Sequence, residues 1–123
     1  MKKISFVSVA VVIVFLILLL WPVADYVYTT EYKETTIVKI TNEENGYTVT
    51  FNEVGEAFLF GNSEVKVILE YENGEKIAEI KDTISNDGKR LGEENMSVVW
   101  CEDEVRITLH GEEQKDELHV IEY

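Results

Sequence analysis

Cysteine is nearly absent from this chain: Cys101 is the only one in 123 residues. No disulfide can form within the chain, so the fold must rest on packing alone. This excludes the disulfide-dense scaffold typical of small eukaryotic ectodomains, and it is compatible with an exported protein of a bacterium that makes little use of disulfides. The residues from 25 onward suffice for one small domain with a single core.

Positive charge is also scarce. The chain has 11 basic residues against 24 acidic ones, and every acidic residue lies at or after Asp25. Only Lys2 and Lys3 precede that point, so the part from Asp25 onward carries a formal net charge of −15. Such a domain repels nucleic acid and anionic headgroups, which leaves a basic protein, a cell-envelope component or cations as partners. The alternative interpretation is a well-solvated surface beside a membrane.

Motifs for catalysis are missing as well. The sequence has no Gly-x-Ser-x-Gly element, no phosphate-cradling glycine loop and no Cys–His pair at a recognised spacing. No pair of carboxylates has an apolar setting that would raise a pKa, and Cys101 has no nearby cation to favour a thiolate. We therefore predict that the protein is not an enzyme, and we assign no catalytic residue, cofactor-binding residue or metal ligand.

Charge is absent from a run of 21 residues, Ile4 to Ala24, in which Ser5 and Ser8 are the only polar side chains. At about 1.5 Å of rise per residue a helix of this length spans roughly 31 Å, the thickness of a bilayer core. The sequence therefore predicts a transmembrane helix over residues 1–24, which Pro22 can end. The apolar core exceeds that of a signal peptide, so a retained signal anchor is favoured over cleavage after Ala24.

Flanking residues predict the orientation of this helix. Lys2 and Lys3 precede it, and positive residues stay on the cytoplasmic side. Aromatic residues that settle at the headgroup level follow it, namely Trp21, Tyr26, Tyr28 and Tyr32. We expect a single-pass cell-membrane protein with a cytoplasmic amino terminus, a stalk over 25–35 and an extracytoplasmic domain over 36–123.

The exterior part alternates apolar and polar residues and shows no helical periodicity, repeats or low-complexity tract. About seven short strands, including a short apolar run over Ala57–Phe60, predict an all-β domain, either an antiparallel sandwich or a small barrel. A last strand over Glu117–Tyr123 has Leu118 and Val120 on one face.

Two hairpins have a predicted register. A type I′ turn at Asn73-Gly74 would pair Val67 with Ile80, Leu69 with Ala78 and Tyr71 with Lys76. A turn at Glu102-Asp103 would pair Trp100 with Val105, Val98 with Ile107 and Met96 with Leu109. We expect Trp100 to be buried, with Cys101 on the opposite face.

Two groups of residues resemble metal sites. Thr83, Ser85, Asp87, Gly88 and Glu94 follow the spacing of a calcium loop, but the first ligand is neutral and the flanking elements are strands. The alternative interpretation of loop 83–95 is a solvated turn. His110 and His119 would share one face across a six-residue loop, with Cys101 nearby, but the spacing is not that of a zinc site, and surface histidines are the preferred interpretation.

The segments Ser97–Trp100, Val105–Ile107 and Gly111–Glu117, together with the apolar amino-terminal run, resemble small single-pass membrane proteins and lipoproteins of low-GC Gram-positive bacteria. This resemblance implies a location and a β-rich domain, and no activity for any residue. We therefore predict a binding or accessory module at the cell surface, of which an immunity or inhibitor protein would be one kind. A calcium-dependent module using loop 83–95 is the alternative.

Overall fold

The computed structural model describes residues 5–57 and 61–123. This part of the chain forms one long helix and seven strands. Helix α1 spans Phe6–Val27 and continues into a turn of π-helix over Tyr28–Tyr32. The strands are β1 (Glu34–Thr41), β2 (Thr48–Val54), β3 (Ser63–Glu70), β4 (Lys76–Ile84), β5 (Met96–Trp100), β6 (Glu104–Leu109) and β7 (Glu117–Glu122).

The strands form two separate antiparallel sheets, which confirms the predicted all-β domain and selects the sandwich over the barrel. One sheet has the order β1-β2-β3-β4 and the other the order β5-β6-β7. Alternate residues of each strand point between the sheets and form one core. Its fully or almost fully buried members are Val49, Phe51, Val65, Val67, Leu69, Ile84, Met96, Val105, Ile107 and Leu109.

The hairpin of β3 and β4 has the predicted register along its length but a different turn. Val67 pairs with Ile80 and Leu69 with Ala78, as expected. Next to the turn the register shifts and Lys76 pairs with Glu70, so the predicted pairing of Lys76 with Tyr71 is wrong. The reason lies in the two central residues of the turn. Gly74 has a positive φ, of 88°, but Asn73 does not, whereas a type I′ turn requires a positive φ at both.

The hairpin of β5 and β6 has all three predicted pairs, Trp100 with Val105, Val98 with Ile107 and Met96 with Leu109. Trp100 is half-buried rather than buried, because it ends its strand at one rim of the sandwich. Leu118 and Val120 do share one face of β7, and that face is turned to solvent.

Helix α1 is exposed along its whole length. It is long and apolar enough to cross a membrane: an 18-residue stretch within the candidate span Phe6–Tyr32 has a mean hydropathy of 3.0. Pro22 lies inside the helix, so the prediction that it ends the helix is wrong. A proline withholds one backbone donor, and a long apolar helix tolerates that loss. Of the predicted stalk, residues 25–32 are helical and residues 34–35 belong to β1.

The end of the helix is joined to the β sandwich by backbone hydrogen bonds. The N–H of Gly55 donates to the carbonyl of Lys33 and the N–H of Glu56 to that of Thr30, both at 2.8 Å. Gly55 has a φ of 67° and lies against the carbonyl of Thr30. Of the predicted Ala57–Phe60 strand, Ala57 lies outside any strand, and the other residues lie outside the described part of the chain.

Gly55→Ala is expected to destabilise this junction. The new methyl group would collide with the carbonyl of Thr30. In addition, a non-glycine residue in the left-handed conformation costs about 1–2 kcal/mol of stability. Gly74→Ala is the matched control, because Gly74 has a φ of 88° and open space around it. Urea unfolding of the full chain in detergent micelles should show a clearly larger loss in the free energy of unfolding for Gly55→Ala than for Gly74→Ala. Equal losses would contradict the close contact between the helix end and the sandwich.

Candidate functional site

Three loops meet at the end of the sandwich opposite the helix. Strand β1 begins at the end of the helix and runs away from it. Because the strands are antiparallel, the turns after β1, β3 and β5 all lie at the end of the sandwich farther from the helix. The loops are 42–46, 71–75 and 101–104, and we call them together the acidic tip. Contacts join them: a Cβ on Gly46 would touch the side chain of Glu72, and the rings of Tyr47 and Tyr71 lie 5.3 Å apart.

The acidic tip has seven carboxylates and no lysine or arginine in its three loops. Six of these residues are exposed, whereas Glu104 is half-buried and forms an ion pair with Arg106 at 3.3 Å. The exposed ones are Glu43, Glu44, Glu72, Glu75, Glu102 and Asp103. Like charges at this density produce a strong negative potential at one end of the molecule.

Asparagine side chains fix the shape of the tip loops. The amide oxygen of Asn42 accepts the N–H of Glu44 at 3.0 Å, and that of Asn73 accepts the N–H of Glu75 at 3.0 Å. The amide oxygen of Asn45 accepts the N–H of Tyr47 at 2.9 Å. These short-range bonds hold the turns without help from a ligand, so the carboxylates are presented on a preformed surface.

Aromatic rings lie directly beneath the carboxylates. Tyr47 packs edge-on against Tyr123, with the centroids 5.1 Å apart, and Trp100 lies 6.5 Å from Tyr123. The hydroxyl of Tyr123 donates to the carbonyl of Cys101 at 2.6 Å. Burial raises the pKa of Tyr123, so its ring stays neutral well above physiological pH.

A cleft of about 460 Å³ opens between the first and third loops of the tip. Its lining residues are Asn42, Glu44, Asn45, Trp100, Cys101 and Glu102. Carboxylates beside an indole ring are a combination suited to a cationic group, which gains ion pairing from the former and cation–π attraction from the latter. Sequence reasoning missed this site, because its residues come from two loops about 60 positions apart in the chain. Only the packing of the folded domain brings these loops together.

The long loop predicted as a candidate calcium site is packed against the other end of the sandwich. Thr83 lies in β4, and Asp87 and Glu94 are exposed. The amide nitrogen of buried Asn95 donates to the carbonyl of His110 at 2.9 Å and to the amide oxygen of Asn86 at 3.2 Å. The buried side chains of this loop therefore satisfy the protein's own polar groups, and the calcium hypothesis stays a prediction without structural support.

A buried carboxylate also holds this loop. Glu53 is 2% exposed, and its Oε2 accepts the N–H of Leu91 at 2.9 Å. Its Oε1 lies 3.0 Å from Nε of Arg90, which is an ion pair by distance although the angle is poor for a hydrogen bond. Arg90 also contacts Glu56 at 2.9 Å. This network connects the long loop to the segment that contacts the helix end.

A second polar cluster lies where the edges of the two sheets meet. Nε2 of His119 is 2.8 Å from Oδ2 of Asp82 and 3.9 Å from Oε2 of Glu117. Burial acts to raise the pKa of Asp82, but hydrogen bonds from Glu117, the Thr83 N–H and His119 outweigh it and lower that pKa. The pKa of Glu117 is raised, chiefly by its hydrogen bond to Asp82 and by the negative charge of that carboxylate.

The two histidines do not come together. His119 pairs with buried Ile107, so it points between the sheets, whereas His110 contacts Ser97 at 2.8 Å and Asp116 at 2.9 Å on the other face. The prediction that both share a face is wrong, because the observed register of β6 and β7 differs by one residue from the assumed one. A shift of one residue exchanges the faces of a strand.

No protein-family model, no curated protein and no solved structure matches this chain. The class of this protein is therefore defined by its architecture alone. The described residues form a seven-stranded antiparallel sandwich that is attached to one long apolar helix.

Proposed function

We propose that this protein is a membrane-anchored binding module that presents the acidic tip to a basic partner outside the cytoplasm. Helix α1 supports the anchor, because it has no charged residue before Asp25 and no buried residue. Lys2 and Lys3 support a cytoplasmic amino terminus. With that orientation, the backbone bonds of Gly55 and Glu56 keep the near end of the sandwich at the membrane. The acidic tip then faces away from the lipid.

The observation that carries the proposal is the cleft of the acidic tip. Glu44 and Glu102 line it together with Trp100, on loops that are held in shape by their own hydrogen bonds. A lysine or arginine side chain fits this chemistry, and the surrounding carboxylates attract a partner with more than one positive charge. The partner is therefore a basic protein or a cationic envelope component. A binding role, including that of an immunity or inhibitor protein, is proposed over a catalytic one.

Neutralising the tip is expected to weaken binding of a lysine- and arginine-rich peptide. Glu43→Gln, Glu44→Gln and Glu102→Gln together should lower the affinity about tenfold, since exposed pairs contribute up to about 1 kcal/mol each. The full chain in zwitterionic nanodiscs is titrated with labelled peptide, and the anisotropy is measured. Affinity should fall as salt rises.

The control variant removes the same charge from the opposite end of the sandwich. Glu93→Gln, Glu94→Gln and Glu113→Gln change exposed residues in the loops before β5 and β7. Binding by this variant should match that of the unmodified protein. An equal loss in both variants would show that overall charge, and not the acidic tip, attracts the peptide, and the proposal would fail.

A further inference from the structure

The cluster of Asp82, Glu117 and His119 occupies a place where the core would otherwise continue. All three point between the sheets, because Asp82 pairs with Val65, His119 with Ile107 and Glu117 with Leu109. Those partners are all buried core residues. Strands β4 and β7 are each the last strand of their sheet. The cluster therefore fills the open side of the sandwich with polar groups from both sheets.

The spacing of its donor atoms matches that around a small metal ion. One nitrogen and two carboxylate oxygens all lie within 4.8 Å of one another. The two distances from Nε2 of His119 are 2.8 and 3.9 Å. Ligands at about 2.0–2.1 Å in a tetrahedron are roughly 3.3 Å apart, so small side-chain rotations bring all three onto one ion.

The charge and exposure of the cluster also suit a cation. Among the described residues, neither Asp82 nor Glu117 forms an ion pair with a lysine or arginine. The side chains are 23%, 50% and 30% exposed for Asp82, Glu117 and His119, so an ion can enter from solvent and keep a water ligand. One imidazole and two carboxylates with an open position favour zinc, whereas calcium prefers six or more oxygens.

We propose that Asp82, Glu117 and His119 bind one zinc ion that bridges the two sheets. The ion replaces the proton between His119 and Asp82 and relieves the repulsion between the two carboxylates. It connects β4 to β7, which are 37 positions apart at Asp82 and His119. Zinc then acts as a stabiliser of the sandwich, much as a disulfide would in a chain with two suitable cysteines. This site is separate from the acidic tip and does not depend on its function.

The experiment is thermal unfolding of the full chain in detergent micelles, with zinc chloride added alone and after chelation. Zinc should raise the melting temperature by several degrees, because a ligand that binds only the native state stabilises it. Magnesium and calcium at the same concentration should leave it unchanged. Titration calorimetry should give one zinc ion per chain, with release of protons on binding.

Matched variants locate the ion. His119→Ala should abolish the zinc-dependent rise, whereas His110→Ala, which removes the other histidine, should keep it. Glu117→Gln is the second variant at the site, because its half-exposed side chain can change without unfolding the domain, and it should lower zinc affinity at least tenfold. Cys101→Ser should bind zinc normally. No rise with the unmodified protein, or the same rise with His119→Ala and Glu117→Gln, would overturn the proposal.

Discussion

Phe51→Ala is expected to leave the sandwich marginally folded or unfolded. The Phe51 side chain is 0% exposed and lies in β2, between Val38 of β1 and Val67 of β3. Truncating a buried phenylalanine costs about 3–5 kcal/mol, because it removes apolar contacts and leaves a cavity. Small domains have only about 5–15 kcal/mol in total. Urea unfolding followed by far-ultraviolet circular dichroism of the full chain in micelles measures the change.

Trp100→Ala is the informative comparison for that variant. Trp100 is a larger residue, but it lines the cleft of the acidic tip and is only half-buried. Its replacement should cost clearly less stability than Phe51→Ala, and it should weaken binding of the basic peptide. A loss of stability equal to that of Phe51→Ala would contradict the placement of Trp100 at the rim, and unchanged peptide binding would remove it from the site.

Arg90→Met is expected to destabilise the domain by about 2–3 kcal/mol, somewhat below the cost of breaking a fully buried ion pair. The variant leaves the carboxylate of Glu53, 2% exposed, without its cation. The N–H of Leu91 still donates to that carboxylate at 2.9 Å, which limits the loss. Unfolding midpoints in urea give the change in the free energy of unfolding.

Glu53→Gln in the Arg90→Met background provides the control. The neutral amide needs no cation, so the double variant should be more stable than Arg90→Met alone. A double-mutant cycle then gives the coupling between the two side chains. Strictly additive effects would show that Arg90 does not stabilise the buried carboxylate, and that the long loop is held by its asparagines instead.

Features that depend on residues close together in the chain could be predicted from the sequence. The long apolar run became helix α1, and the alternation around Asn73-Gly74 and Glu102-Asp103 fixed the registers of both hairpins. A slip by one residue would expose a whole row of apolar side chains, so burial alone selects the register. The exact turn at Gly74 was not predictable, because Asn-Gly is compatible with more than one hairpin geometry.

The pairing of β6 and β7 shows where such reasoning stops. The sequence predicts a loop of six residues, 111–116, whereas the observed loop is 110–116, seven residues. A loop of this length does not determine the register of the strands that it joins. The observed register is one residue away from the assumed one, which placed His119 inside and His110 outside. Because faces alternate along a strand, that single step turned His119 toward Asp82.

By itself the sequence determined an apolar helix, an acidic all-β domain and the pairing within two hairpins, because each depends on local pattern and composition. Only the tertiary structure decided which loops share an end of the sandwich and which strand edges meet. The acidic tip and the cluster of Asp82, Glu117 and His119 both depend on contacts between segments far apart in the chain. Such contacts follow from the way two sheets pack on one core, and no spacing along the chain encodes them.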